Sequence, residues 1–303
     1  MVAPMRSRLP AVVAVVAAFA LLGTSSAYAS KGAYFGAAVE TARGQNSYDA
    51  LAALESKVGR HLHILRLYRS LNDTTFSGAG AEAMKRRGLP MYLNVSSAIG
   101  NRCVSWRSVA AGRYNRYLKS IARTVKRYRY KVYFSWNHEM QGNCHTGTAA
   151  DYRASYKRVR RAFRRHGATN AVWVWTVAAG NVNHDPGKAA RYLPRKVDLI
   201  GVDGYNRAGE WRSVSEIFGA AHRFAAKRGL RLFIGEIGCA EDPSDSTAKG
   251  RWIANAYDTF KAWGVAAVVW SNVTRNEGNY KVDTSSASLS AYKQAGDMSF
   301  YGR

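Results

Sequence analysis

The sequence predicts a (β/α)8 barrel, because strand-like and helical segments alternate regularly along most of its 303 residues. Eight segments rich in Val, Ile, Leu, Tyr and Trp have the composition of buried strands. Glycine follows several of the helical segments, as it commonly does where a helix ends. Eight strands favour a closed barrel over a doubly wound sheet, so we expect a single α/β domain.

The predicted elements follow one another in the order of parallel βαβ units. Strands are predicted at residues 33–38, 61–68, 90–95, 132–136, 171–177, 197–203, 231–235 and 265–270. Helices are predicted at residues 47–58, 113–125, 149–166, 213–227 and 247–263. No linker or low-complexity tract interrupts this alternation, which is why we expect no second domain.

The first 29 residues have the pattern of a secretory signal peptide. Arg6 and Arg8 precede an apolar run at residues 11–22, and Ala-Tyr-Ala at residues 27–29 provides a cleavage site. The apolar run is shorter than the ~20 residues that a membrane-spanning helix needs. We therefore expect residues 30–303 to form a secreted, extracellular barrel domain, monomeric and without a membrane span.

Two of the predicted strands lead into a glutamate. The fourth strand continues as Asn-His-Glu-Met at residues 137–140, and the seventh as Glu-Ile-Gly at residues 236–238. Active-site groups of a (β/α)8 barrel lie at the C-terminal ends of its strands, and a pair of carboxyl groups there can hydrolyse a glycosidic bond. Glu139 and Glu236 are therefore the candidate catalytic residues. Taken singly, a glutamate after an apolar strand is more often a loop carboxylate paired with an arginine; it is the occurrence of two that favours catalysis.

The combination of motifs resembles glycoside hydrolase family 26, which contains retaining endo-β-mannanases. The shared features are Asn-His-Glu-Met at the fourth strand, Asp-Gly-Tyr-Asn at residues 203–206, Gly-Glu-Ile-Gly at residues 235–238 and a tryptophan ending the eighth strand. The resemblance implies that Glu139 is the general acid/base and Glu236 the nucleophile. It further implies that the groups around the reacting sugar are His138, Asp203, Tyr205 and, as a stacking floor, Trp270.

The neighbours of the two glutamates favour different protonation states. Phe134, Trp136 and Met140 place an apolar wall near Glu139, which disfavours its charged form. Glu236 lies between glycines, where backbone N–H groups can approach it, and the phenol of Tyr205 is a possible donor. Residues at the ends of the second and third strands are also predicted to line the pocket: Arg66, Tyr68 and Asn94.

Departures from the family pattern leave the polysaccharide open. Family members usually carry an arginine three residues before the histidine, where this chain has Ser135, and a tryptophan soon after Glu-Met, where it has Asn-Cys-His at residues 143–145. The first expectation is β-1,4-mannan, with β-1,3-xylan and mixed-linkage β-glucan as alternatives. An alternative from another class is a cell-wall or polyanion binding protein on a degenerate hydrolase scaffold.

The three cysteines predict one disulfide and one remaining thiol. Cys103 and Cys144 fall in loops after neighbouring strands, so we expect a bridge between them; three free thiols are the alternative. We expect no cofactor and no metal, because His138, His145 and His184 lack ligand-like spacing.

The net charge of +25 is unusual for a protein that acts on neutral polysaccharide. Basic clusters occur where helices end and the next strand begins, which is the underside of a barrel; they include Lys126, Arg127, Arg164, Arg165, Lys227 and Arg228. Cations at helix C-termini are favourable there, but the helix at 149–166 carries them along its whole length. We expect this surface to bind an anionic cell-wall polymer. We expect no nucleic-acid partner, because no recognised nucleic-acid module is present.

Overall fold

The computed structural model describes residues 32–75 and 78–302. Within these ranges, eight parallel strands pair in a closed ring, and helices pack around the outside. The predicted (β/α)8 barrel is therefore confirmed. The predicted signal peptide lies outside the described residues. Among the residues that are described, no helix is both long and apolar enough to cross a membrane.

All eight predicted strands are present. They are β1 (Tyr34–Val39), β2 (Ile64–Ser70), β3 (Met91–Ser96), β4 (Val132–Trp136), β5 (Ala171–Ala178), β6 (Leu199–Asn206), β7 (Leu232–Cys239) and β8 (Ala267–Asn272). Strand β1 pairs with β8 and closes the ring. Strands β6 and β7 run past their predicted ends because their backbones stay paired as far as Asn206 and Cys239. Glu236 consequently lies within β7 rather than at its tip.

Helices fill the connections between strands. They are α1 (Ser47–Val58), α2 (Ala79–Arg86), α3 (Trp106–Ala110), α4 (Asn115–Tyr128), α5 (Ala149–Arg165), α6 (Ala179–His184), α7 (Pro186–Tyr192), α8 (Val214–Ala226), α9 (Ala248–Ala262) and α10 (Ser286–Asp297), followed by a 3-10 turn at Ser299–Tyr301. The five predicted helices correspond to α1, α4, α5, α8 and α9. Capping boxes built by Thr148 with Asp151 and by Ser213 with Glu216 begin α5 and α8.

The barrel interior changes from apolar to polar along the strands. Tyr92, Tyr133, Val174 and Phe233 belong to an apolar cluster inside the ring. Two residues further toward the C-terminal end of each strand, the inward positions are Asn94, Ser135, Thr176 and Gly235, because side chains alternate with a period of two. Thr176 Oγ1 lies 2.6 Å from Tyr92 Oη and 3.0 Å from Ser135 Oγ. Polar groups are thus gathered beneath the C-terminal face.

A disulfide ties two loops at this face. Cys103, in a short hairpin formed by Ala98–Ile99 and Arg102–Cys103, is bonded to Cys144 in the loop after β4. This is the pairing expected from the loop positions. The third cysteine, Cys239, is free and buried at the end of β7. The bridge closes a segment with a sequence separation of 41 and fixes the chain just after Glu139.

Removing the bridge should destabilise the fold. In the chain-entropy description a loop of this length contributes about 3 to 4 kcal/mol to the free energy of unfolding. We expect Cys103→Ser combined with Cys144→Ser to lower the free energy of unfolding by about that amount, measured by chemical denaturation. A double variant that unfolds at the parent's denaturant midpoint, or peptide mapping without reductant that finds Cys239 in a bridge, would contradict this assignment.

Candidate active site

A bulge in β7 turns Glu236 into the barrel. Between Ile234 and Ile237, β7 contains one residue more than the facing stretches of both β6 and β8. Such a bulge interrupts the alternation of side chains. Ile234 and Ile237 therefore pack in the outer apolar layer, while Gly235 and Glu236 both face inward. Glycine is needed at 235, since a Cβ there would lie 2.5 Å from Asp203 Oδ1.

A fully buried arginine links the two carboxylates of β6 and β7. The side chain of Arg66 on β2 is 0% exposed. Its Nη1 and Nη2 donate to the two carboxylate oxygens of Asp203 at 3.1 Å each, and its Nε donates to Asn94 Oδ1 at 3.0 Å. Nη2 also lies 2.9 Å from Glu236 Oε1. The guanidinium therefore opposes the desolvation of both acids with fixed geometry. For Asp203, burial and the charge of Glu236 still outweigh Arg66 and raise the pKa to about 7.

Glu236 is surrounded by donors. Tyr68 Oη donates to Oε1 at 2.8 Å, and Tyr205 Oη donates to Oε2. Arg275 Nη2 lies 3.6 Å from Oε2. Burial opposes ionisation of Glu236, but the charge of Arg66 and the tyrosine hydrogen bonds outweigh it and lower the pKa to about 2. Glu236 is consequently an anion at neutral pH.

Glu139 has the opposite electrostatic surroundings. It follows β4 in a left-handed backbone conformation with φ of 51°, and its N–H donates to Thr176 O at 3.0 Å. Burial, reinforced by the negative charges of Asp203 and Glu236, raises the pKa of Glu139 to about 8. The carboxyl is therefore mostly protonated at neutral pH and can donate its proton.

The loop that carries Glu139 is held by Asn137. Its Oδ1 accepts hydrogen bonds from the N–H of Ser97 at 2.8 Å and from Ser97 Oγ at 2.7 Å. Its Nδ2 donates to Asn143 O at 2.7 Å, which fastens the start of the loop to its far side. Like Glu139, Asn137 has a positive φ, here 44°. This pair of left-handed residues, two apart, orients the glutamate toward β5 and β6.

His138 lies close to Glu139 and Asp203 and is neutral. Burial, followed by the charge of Arg66, lowers the pKa of His138 to about 3. Ligand atoms of His138, Glu139 and Asp203 lie within 4.8 Å of one another, which is close enough to surround a cation. Both carboxylate oxygens of Asp203, however, already accept from Arg66. A cation there would compete with a fixed positive charge, so this trio is a poor metal site.

A cavity of about 750 Å³ opens at the C-terminal face. Acids, arginines and tyrosines form most of its polar lining: Glu139, Asp203, Tyr205, Arg207, Glu210, Arg212, Glu236, Arg275, Glu277 and Tyr280. At the rim, Glu210 pairs with Arg212 at 2.7 Å and with Arg207 at 3.5 Å. The lining combines positive and negative groups, some of them paired with one another, and therefore suits an uncharged ligand with many hydroxyl groups.

One predicted site residue lies elsewhere. Trp270 is 0% exposed and does not line the cavity, so the expected stacking floor is wrong. The alternation along β8 directs Val269 inward and Trp270 toward the helices, where its Nε1 donates to Tyr280 O at 2.7 Å. Tyr205 and Tyr280, whose ring centroids are 4.7 Å apart, are the aromatic side chains of the lining.

The other predicted site residues lie either beside the two glutamates or beneath the cavity. His138, Asp203 and Tyr205 are brought next to the two glutamates, as the resemblance implied. Arg66 and Asn94 are buried beneath the cavity rather than lining it, whereas Tyr68 is 39% exposed and reaches Glu236 from the side. Arg275 was not predicted from the sequence, because it comes from a hairpin after β8 that follows no strand-end pattern.

Comparisons with known proteins place the fold among glycoside hydrolases. The catalytic domain of an endo-β-1,4-mannanase of glycoside hydrolase family 26 from Bacillus sp. JAMB-750 superposes with a TM-score of 0.68 at 17% identity, covering 92% of this chain and 90% of that one. A family 26 β-mannanase from Bacteroides ovatus gives a TM-score of 0.66 at 14% identity, covering 92% of each chain. The fold is thus the one found in family 26 mannanases, which confirms the resemblance recognised in the sequence.

Sequence comparison finds a relative with a different named activity. Endoglucanase H of Acetivibrio thermocellus is 24% identical over 270 residues, which cover 83% of this chain. The chain spans only 29% of that relative's length. No protein-family model matches the sequence.

The raised pKa of Glu139 makes a prediction about stability. Folding raises this pKa from its ordinary 4.5 to about 8, so the carboxyl's contribution to stability is complete at acidic pH and is lost as the pH rises through about 8. Glu139→Gln keeps the shape and cannot ionise. We expect it to match the parent near pH 4 and to exceed the parent's free energy of unfolding, by on the order of a few kcal/mol, above pH 8.

Denaturant titrations across this pH range measure the difference. The matched control is Glu277→Gln, which removes an exposed carboxylate from the rim of the same cavity. If the Glu139→Gln variant and the parent differ by the same amount at every pH, the burial of Glu139 does not hold its proton.

Proposed function

We propose that the protein is a retaining endo-β-glycanase that hydrolyses β-glycosidic bonds within a polysaccharide. One observation carries the proposal. At neutral pH, a protonated carboxyl and an ionised carboxylate, Glu139 and Glu236, face one cavity at the C-terminal end of the barrel. This pair of protonation states is what acid-assisted displacement at an acetal carbon requires.

The reaction proceeds in two displacements. Glu139 gives its proton to the leaving glycosidic oxygen while the carboxylate of Glu236 attacks the anomeric carbon, forming a glycosyl ester and releasing the first sugar product. Glu139, now ionised, removes a proton from water, whose oxygen attacks the anomeric carbon and displaces Glu236. Both carboxyl groups then return to their starting states. Tyr68 and Tyr205 orient the nucleophile before the first attack.

The substrate we propose first is β-1,4-mannan. Its support is the similarity in fold to structures named as endo-β-1,4-mannanases. Mixed-linkage β-glucan and β-1,3-xylan stay as alternatives, and the relative named endoglucanase favours a glucan among them. Among the described residues that line the cavity there are tyrosines but no tryptophan. The selection among these polysaccharides therefore depends largely on recognition of sugar hydroxyl groups by the polar rim. We also propose, from the leader pattern, that the protein acts outside the cell.

Turnover on a panel of polysaccharides tests the proposal. We expect the protein to release reducing ends from at least one of mannan, mixed-linkage β-glucan and β-1,3-xylan, and Glu236→Ala to abolish this release while leaving binding intact. The control Glu82→Ala, which removes an exposed glutamate of α2 outside the cavity, should keep most of the activity. Binding without turnover on every polymer would instead support the polysaccharide-binding alternative, and activity in Glu236→Ala would place the nucleophile elsewhere.

Leaving-group chemistry tests the role of Glu139. Glu139→Ala should lose about 10²- to 10⁴-fold in rate on the polysaccharide, the usual contribution of a positioned general acid. It should lose far less in the first step on an aryl glycoside, whose leaving group needs little protonation, so that a covalent glycosyl-enzyme accumulates and is visible by mass spectrometry. The alkaline limb of the parent's pH–rate profile should fall at about 8. An equal loss on both substrates would remove Glu139 from the acid role.

A further inference from the structure

The outer wall of the barrel contains a second, strongly basic cavity. It has a volume of about 350 Å³ and lies between α4 and α5, which pack against each other. Its charged lining is entirely cationic, apart from the ring of His166: Arg116, Lys119, Arg158, Arg161 and Arg165. None of the residues that line the catalytic cavity takes part in it. The groove is therefore a separate feature with its own chemistry.

The five cations of this groove, together with Arg123 just beyond its lining, form two matching rows. Arg116, Lys119 and Arg123 follow the spacing i, i+3, i+7 along α4, and Arg158, Arg161 and Arg165 follow the same spacing along α5. Residues three and four apart share one helix face, so each row places a positive charge about every 5 Å along its axis. A linear ligand lying in the groove would meet repeating positive charge from both sides.

Helix stability does not account for this arrangement. Cations in the last turn of a helix interact favourably with the helix dipole, but Arg116, Lys119 and Arg158 are a turn or more away from that end. Like charges at this spacing destabilise a helix slightly. Helix α4 contains no acidic residue, and the one acid of α5, Asp151, caps its own helix and pairs with Arg107. Within the described part of the chain, none of the six row residues forms an ion pair with a carboxylate.

We propose that the α4–α5 groove binds a linear phosphodiester polymer without bases, such as poly(glycerol phosphate). Each phosphodiester carries two free oxygens that point to opposite sides of the chain, so both rows can contact the same charge. Five of the six row residues are arginines, whose planar fork pairs with two oxygens at once. Burial lowers the pKa of His166, and the positive charges of Arg123, Lys119 and Arg165 lower it further. This second effect reflects the positive electrostatic field of the groove.

The shape of the groove favours this occupant over other polyanions. Single-stranded nucleic acids need aromatic faces on which bases stack. His166 is the one aromatic ring in the described lining, and the nearby ring of Tyr117 is covered by the guanidinium of Arg116 at 4.6 Å. A polyuronate carries its carboxylates on carbons outside the chain of linkages, whereas a phosphodiester carries its charge in the polymer backbone itself, which can lie between the two rows. The proposal is independent of the proposed hydrolase activity, because it uses no residue of the catalytic cavity.

Binding of defined-length poly(glycerol phosphate) to the protein, followed by fluorescence anisotropy over a salt series, tests the inference. The groove variant combines Lys119→Gln, Arg161→Gln and Arg165→Gln, three exposed residues whose side chains form no hydrogen bond within the described chain. We expect its affinity to fall at least about tenfold and the slope of log affinity against log salt to decrease by about 2, since each contact with a single strand contributes ~0.7.

The matched control removes the same charge elsewhere. Arg43→Gln, Arg223→Gln and Lys261→Gln, in the loop after β1 and near the ends of α8 and α9, are exposed and should leave the affinity within about twofold of the parent. Equal losses in both variants would show that only net charge matters and overturn the site. Duplex DNA or polygalacturonate binding as tightly as poly(glycerol phosphate) at equal salt would overturn the assignment of the occupant. Unchanged thermal unfolding of both variants secures the comparison.

Discussion

The polar half of the barrel interior depends on one buried cation, Arg66. Removing a guanidinium and two carboxylates from water costs several kcal/mol per ion, and only close, well-oriented pairing offsets that cost. Arg66 provides it by using its donors on Asp203, Asn94 and Glu236 together. Its charge also lies against the rings of Tyr68 and Tyr92, at 4.7 and 4.6 Å from their centroids. The acids hold the pKa of Arg66 above its ordinary value, so the cation is permanent.

The same cation separates the behaviour of the two glutamates. Glu236 touches Arg66 and two phenols, whereas no residue of the described chain donates a side-chain hydrogen bond or forms an ion pair to the carboxylate of Glu139. One glutamate is therefore stabilised as an anion and the other keeps its proton, although both line the same cavity. The difference in protonation between the two glutamates arises from their positions relative to the guanidinium of Arg66 rather than from the apolar residues around β4. Those residues, Phe134 and Trp136, pack outside the ring.

Much of the fold was predictable because it depends on local pattern. Apolar strands, capped helices and closing glycines determine eight βα units without reference to distant residues. Side-chain direction was less predictable. Trp270 is a residue type that often stacks on sugars, yet the alternation along β8 points it outward. Which residues of a strand point inward depends on how the strand pairs with its neighbours, and the sequence alone does not show that pairing. Arg275 was not predicted for a related reason. It reaches Glu236 from a hairpin after β8, and the sequence does not show that this hairpin folds back over the opening of the cavity. Arg66 was noticed as a pocket residue, but its burial beneath the floor is a property of the closed ring.

The bulge at Gly235 determines which side chains of β7 face the cavity and which face the apolar layer. Side chains normally alternate between the two faces of a strand, and the extra residue interrupts this alternation. Gly235 and Glu236 therefore both face the cavity, and Ile237 returns to the apolar layer. If the same residues paired in regular alternation, without the bulge, Glu236 would point into the apolar layer and Ile237 into the cavity. The pairing register of β7 is therefore as strictly constrained as residue identity, and segments can be exchanged between this barrel and others only at boundaries outside Leu232–Cys239.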